Sequence, residues 1–212
     1  MEILFEDNHL LVLDKPSGLL TQPTDLEKDS LETRAKAFLK KRDHKPGNVY
    51  LHALFRLDRP VSGVVLFAKT SKALSRLNES VRKKETKKIY RALLEGRPPE
   101  PKGTLHHFLL KTEFQTNVVD AKTEGAKECL LDYRTLEEME NQTLVEIELT
   151  TGRYHQIRAQ FSAVGTPLLG DSKYGSQTPF KENSIALCHQ EFHIPHPITK
   201  ALLSFSSKQT LC

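Results

Sequence analysis

The chain has 212 residues, 38% of them apolar and 27% charged, with a formal net charge of +4. This is ordinary globular composition, enough for a core without staples, and the mild basic bias suits an anionic partner without requiring one. No apolar run approaches the roughly 18 residues a membrane span needs.

The opening MEILFEDNHL is acidic where a signal peptide would be basic and then apolar, so a cytoplasmic protein is expected. Cys129, Cys188 and Cys212 are odd in number and lack C-x-x-C spacing, which reads as reduced thiols rather than a disulfide framework or thiolate metal site.

ILFEDNHLLVLDKPSG sets two apolar runs around Asp7 and Asn8, the pattern of a hairpin ended by Pro16 and Gly18. From Ser30 to about Lys41, Leu31, Ala35, Phe38 and Leu39 fall at helical spacing, with Asp29 as the expected cap and Glu32 three residues later. VYLHALFRLDRPVSGVVLFAK predicts two strands joined by a tight turn at Pro60 to Gly63.

Residues 71 to 84 place Ala73, Leu74, Leu77 and Val81 on one helical face, and KKIYRALLEG returns to strand. The middle, from Arg97 to about Gly125, has no sustained period and is assigned loops and short strands. LVEIEL predicts a strand at 144 to 149, and Tyr154 to Val164 a helix stopped by Gly165. The tail reads as strand-like segments interrupted by Pro195 and Pro197. Dispersed helices among more numerous strands indicate an α+β fold with a largely antiparallel sheet, organised as one domain over residues 1–212.

Three clusters have the residue types that chemistry needs. In LFRLDRPVSG, an extended segment 54 to 58 would put Arg56 and Asp58 on one face and Phe55 and Leu57 on the other. A carboxylate among guanidinium groups fits a structural ion pair as well as a catalytic group. TTGRYHQIRAQ gathers Arg153, His155 and Arg158 at a strand-to-helix junction, where backbone N–H groups attract an anion; solvated basic residues at a helix start fit equally. RKKETKKIYR ends a basic run on Tyr90, which suits base stacking beside phosphate contacts, although a strand aromatic is the plainer reading.

Taken together, FRLDRPVSG at 55–63, KIYRALLEG at 88–96, TGRYHQIR at 151–158 and GTPLLGDSKYG at 165–175 resemble, in order and wording, the motifs of the RluA-type family of pseudouridine synthases. The opening through KPSGLL and the closing ALCHQEFHIPHPIT are also similar, so the resemblance covers almost the whole chain. It implies a bent mixed sheet with flanking helices and a central cleft, and isomerisation of uridine in tRNA or rRNA by a monomer with no cofactor and no metal.

By the same resemblance Asp58 is the catalytic carboxylate, Tyr90 stacks on the target base, and Arg158 pairs with Asp58. Arg56 enters the RNA helix where the uridine has left, and Arg59, Arg153, His155 and Gln156 are further substrate contacts. Phe55 stands where the family usually has His, Val61 replaces Thr or Ser, and Tyr154 replaces a small polar residue. With the hairpin starting at Ile3, no RNA-binding extension of the S4 type is expected. A noncatalytic RNA-binding scaffold and an aspartate-dependent nucleoside hydrolase are the alternatives. Intact Asp58, Tyr90 and Arg158 argue against the first, and the lack of a second carboxylate near Asp58 against the other.

Overall fold

A computed structural model describes residues 1–211, and Cys212 lies outside them. The described residues fall into two compact units, residues 1–87 with 189–210 and residues 88–188 with Leu211.

In the first unit, β1 (Glu2–Glu6) and β2 (Leu10–Lys15) form the expected hairpin. Its turn is fixed by Asp7, whose carboxylate accepts from the backbone N–H groups of His9 and Leu10, both at 2.7 Å. β2 also pairs with β4 (Ser62–Ala68), from Leu10 opposite Ala68 to Lys15 opposite Gly63. Paired on both sides, its LLVL run is wholly buried. That burial explains an uninterrupted apolar stretch instead of alternation.

Helix α2 (Ser71–Arg82), capped by Thr70, presses Ala73 and Leu77 against Leu10, Val12, Val64 and Leu66. Phe192 and Ile194 of β10 (Leu187–Pro195) and Phe205 of β11 (Leu202–Ser206) complete that core. Helix α1 (Leu31–Arg42) lies where expected, but its cap is Ser30, reciprocated by Thr33. Asp29 instead binds Arg34, and Glu32 binds Gln22 and Lys36. Leu31, Ala35 and Leu39 are buried, whereas Phe38 stays exposed beneath Arg42.

The strand expected before the 60–63 turn shrinks to β3 (His52–Ala53), and after a last bond from Leu54 N–H to the Leu66 carbonyl at 2.9 Å the chain leaves the ladder. Pro60 has no N–H to donate, and the turn closes earlier, from Val61 N–H to the Asp58 carbonyl at 3.1 Å. Ser62 and Gly63 are already in β4. Gly63 sits at φ 116°, and a Cβ there would lie 2.3 Å from the carbonyl oxygen of His189, so only glycine fits.

The second unit is a run of antiparallel strands in the order β5-β9-β8-β6-β7: Lys87–Glu95, Gln142–Leu149, Lys127–Glu138, Lys102–Lys111 and Thr116–Val119. The region assigned loops and short strands therefore contains the ten-residue β6 and all of β7. In β6 only Leu105 and Leu109 are fully buried, four apart, so the two-residue rhythm that marks a strand is missing from its sequence. Helix α3 (Gln156–Ala163) packs Phe161 edge-on against Tyr133 of β8, at 5.5 Å between ring centroids. Gln160 ties the helix to β6 through the Leu105 carbonyl at 2.8 Å.

Candidate active site

Asp58 is half-buried on the turn that follows β3, in the first unit. The main chain around it is held from several directions. Thr21 Oγ1 accepts from the Leu57 N–H (3.1 Å) and donates to the Leu57 carbonyl (2.9 Å). The Arg59 carbonyl accepts from Gly18 N–H at 2.9 Å and from Lys15 Nζ at 3.2 Å.

Lys15 is the unusual member of this group. Its side chain is fully buried, and its ammonium also donates to the carbonyls of Leu19 (2.7 Å) and Pro16 (3.0 Å). Burial pushes its pKa down to about 7, opposed by the negative charge of Asp58. The carboxylate thus lies in the field of a buried lysine whose charged form burial disfavours.

The neighbours of Asp58 divide as the alternation argument requires, although no ladder enforces it. Leu57 is buried, and Phe55 meets His189 at 5.2 Å and Phe192 at 4.9 Å, both edge-to-face. Phe55 is therefore a packing residue. Arg56 is exposed, while Arg59 pairs with Glu27 at 2.9 Å and donates to the Gly18 carbonyl at 3.0 Å.

The other predicted residues lie in the second unit. Tyr90, on β5 opposite Ile147 of β9, is 7% exposed. Arg158 is buried on α3 and its guanidinium is gripped bidentately by Asp171, Nε to Oδ2 at 2.7 Å and Nη2 to Oδ1 at 2.8 Å. The Tyr174 ring lies 4.9 Å from its Cζ. Asp171 is itself 1% exposed, so each charge compensates the other's desolvation.

The turn into α3 is built from the motif's own side chains. Gln156, buried, accepts from Thr151 Oγ1 (2.8 Å) and Arg153 N–H (3.0 Å) and donates to the Leu130 carbonyl (3.1 Å). His155 occupies the left-handed region at φ 54°, with Nδ1 2.9 Å from the Tyr174 hydroxyl, which accepts from Thr116 N–H. Burial, reinforced by the charge of Arg158, pushes its pKa down to about 3. Burial thus favours the neutral ring beside the Tyr174 hydroxyl. Arg153 and Tyr154 are exposed beside it.

Lys15, Thr21, Asp171 and Tyr174 were not singled out from sequence. Lys15 and Asp171 do lie inside KPSGLL and GDSKYG, but a lysine ending a strand reads as solvated. Asp171 stands 13 residues from its partner, beyond any helical pairing rule. In the tail, His189 Nδ1 is 2.7 Å from the Val64 carbonyl, His193 Nδ1 is 2.7 Å from Ser204, and His196 Nε2 is 2.8 Å from Asp7. Among the described residues no group of three or more metal-ligating side chains converges.

The sequence profile of the RNA pseudouridylate synthase family matches residues 9–163, well over half of the chain. Over 213 residues the chain is 32% identical to the dual-specificity RNA pseudouridine synthase RluA of Haemophilus influenzae, covering 98% of this chain and 93% of that protein. It is also 32% identical to the uncharacterized RNA pseudouridine synthase YhcT of Bacillus subtilis, covering 96% of this chain but 67% of the relative. Other curated relatives are longer still; ribosomal large subunit pseudouridine synthase C of a Buchnera aphidicola strain is spanned over 64% of its length.

The human RNA pseudouridylate synthase domain containing 4 shares the fold, with a TM-score of 0.82 at 20% identity over 99% of this chain and 88% of that one. The α+β fold is thus that of pseudouridine synthase domains. This chain belongs to the RNA pseudouridylate synthase family, in its RluA-type branch.

Proposed function

We propose that this chain is an RNA pseudouridine synthase that acts on uridines of tRNA or rRNA, with residues 1–212 forming one catalytic domain that works as a cytoplasmic monomer. The observation that carries the reading is the FRLDRPVSG turn. In a chain of this family it presents a half-buried carboxylate on main chain braced by Thr21, Gly18 and Lys15. Names of relatives favour ribosomal substrates, since three are large-subunit synthases.

The reaction breaks the C1′–N1 bond, turns the uracil and joins C1′ to C5; the C5 proton is lost and N1 gains one. Substrate and product are isomers, so no redox partner is consumed. What the chemistry asks of the protein is a positioned carboxylate, a surface for the extruded base and a cation that keeps the carboxylate ionised. Asp58, Tyr90 and Arg158 fill these roles, with Arg56, Arg59, Arg153, His155 and Gln156 on the substrate. No helix among the described residues is long and apolar enough to cross a membrane.

The deciding experiment maps pseudouridine by carbodiimide labelling across total RNA, with and without the protein, and compares wild type with Asp58→Asn. The amide keeps the size of the carboxylate but neither attacks nor accepts a proton, so turnover should vanish while RNA affinity stays within a few-fold. Turnover by Asp58→Asn overturns the assignment. Tyr90→Leu should weaken stacking by about 1–3 kcal/mol where Tyr90→Phe does not. Activity is expected to survive EDTA and gel filtration, and a loss restored by zinc would contradict the proposed metal-free chemistry.

A further inference from the structure

Within the second unit, the end of β6 meets β7, β8 and the loop before α3 around a cavity of about 410 Å³. Register puts it together: Leu109 lies opposite Lys127, and Lys111 opposite Thr116. Leu109 is a buried apolar element of its lining, joined by Gly152, Arg153 and Tyr154 from the loop that Gln156 anchors.

Three features single this cavity out. All three charged lining groups, Lys111, Lys127 and Arg153, are cationic, and among the described residues none of them is ion-paired, whereas Arg34, Arg42, Arg59 and Arg134 all are. Thr116, 2% exposed, has a buried hydroxyl with no hydrogen-bond partner among the described residues, a polar atom left for a ligand. Tyr154, 39% exposed, is stacked on His155 at 3.8 Å between centroids and 22° between planes, with Lys111 Nζ 4.8 Å from its ring centroid.

We propose that this cavity is a subsite for one unpaired nucleotide of the RNA chain outside the reacting uridine, an inference that rests on the synthase reading. Lys127 and Arg153 take the phosphate. Lys111 leaves the Tyr154 ring to join them, and the base moves onto the exposed ring. A volume of about 410 Å³ is in the range of small-ligand sites of roughly 300–1,000 Å³.

The test uses the full chain and fluorescein-labelled octauridylate in an anisotropy titration over a salt series. Tyr154→Ser and Lys127→Glu should each weaken binding roughly ten-fold at unchanged melting temperature, and Lys127→Ala should reduce the slope of log affinity against log salt by about one. A dissociation constant within about two-fold of wild type in both variants, or an unchanged slope, overturns the subsite. Displacement of the probe by uridine monophosphate as effectively as by unlabelled octauridylate would show a free-nucleotide site and overturn the RNA assignment. Failure of the synthase reading is distinguishable, because it appears as wild-type protein without turnover on any RNA, while the octauridylate affinities still judge the cavity.

Discussion

The Asp58 turn and the Arg158 helix start carry the two charged groups most important to the proposed chemistry, and they are held by opposite means. Around Asp58 the bonds go to main chain: Thr21 to both polar groups of Leu57, and Gly18 and Lys15 to the Arg59 carbonyl. Around Arg158 they run from side chain to side chain, through Asp171, and through Tyr174 to His155. A turn held by its backbone leaves its side chains replaceable, and a site held by side chains does not. Two of the three departures from the family wording, Phe55 and Val61, fall in the first region, where both simply pack.

The sharpest way to break this contrast is Asp171→Ala, which removes the bidentate carboxylate from the buried Arg158 guanidinium. A loss of about 3–5 kcal/mol in urea unfolding is expected, most of it recovered by also changing Arg158→Met. Equal destabilisation in single and double variants would show that the pair does not act as a unit. Phe55→His should cost about 1–3 kcal/mol through lost apolar burial and an unpaired ring nitrogen, yet leave turnover per folded molecule nearly unchanged. A tenfold rate change at constant melting temperature would instead put position 55 in the active site.

Thr21→Val leaves the Leu57 N–H without its acceptor and should cost about 1–3 kcal/mol in the same assay, together with a fall in turnover that Thr21→Ser restores. A separate test of the Asp58 turn is read against pH. Lys15 has a pKa of about 7 in the fold and an ordinary value of 10.5. Between these the unfolded chain binds more protons, so stability rises as pH climbs through that window. Lys15→Met should flatten this rise; an unchanged slope would mean that the ammonium titrates normally. His155, held near 3, has the same sign at lower pH: its contribution is lost as pH falls below 6.5.

How much was legible in the sequence follows the same division. The β1–β2 hairpin, α2, β5 and α3 were readable because apolar spacing and turn residues agree with their burial. β6 was not, since its buried leucines are four apart, and α1 took a cap from Ser30 and Thr33 because these hydroxyls lie closer to the first turn than Asp29. Asp58, Tyr90 and Arg158 were visible as motif residues. Lys15 was hidden because a buried ammonium needs three carbonyls aimed at one point, and those carbonyls come from Pro16, Leu19 and Arg59, so main-chain geometry and not residue type makes the site.

The division of the chain also bears on its synthesis. The first unit is discontinuous: its sheet and core are finished only when residues 189–210 arrive, about 100 residues after Lys87. Phe192, Ile194 and Phe205 then cover β2 and β4, and Ser207 donates to the Asp14 carboxylate at 2.8 Å. At roughly 5–20 residues per second, a translating ribosome leaves the LLVL face of β2 without that cover for about 5–20 s. The early part of this nascent chain therefore keeps that apolar face uncovered until residues 189–210 have been made, whereas the second unit has all but Leu211 of its described residues by position 188.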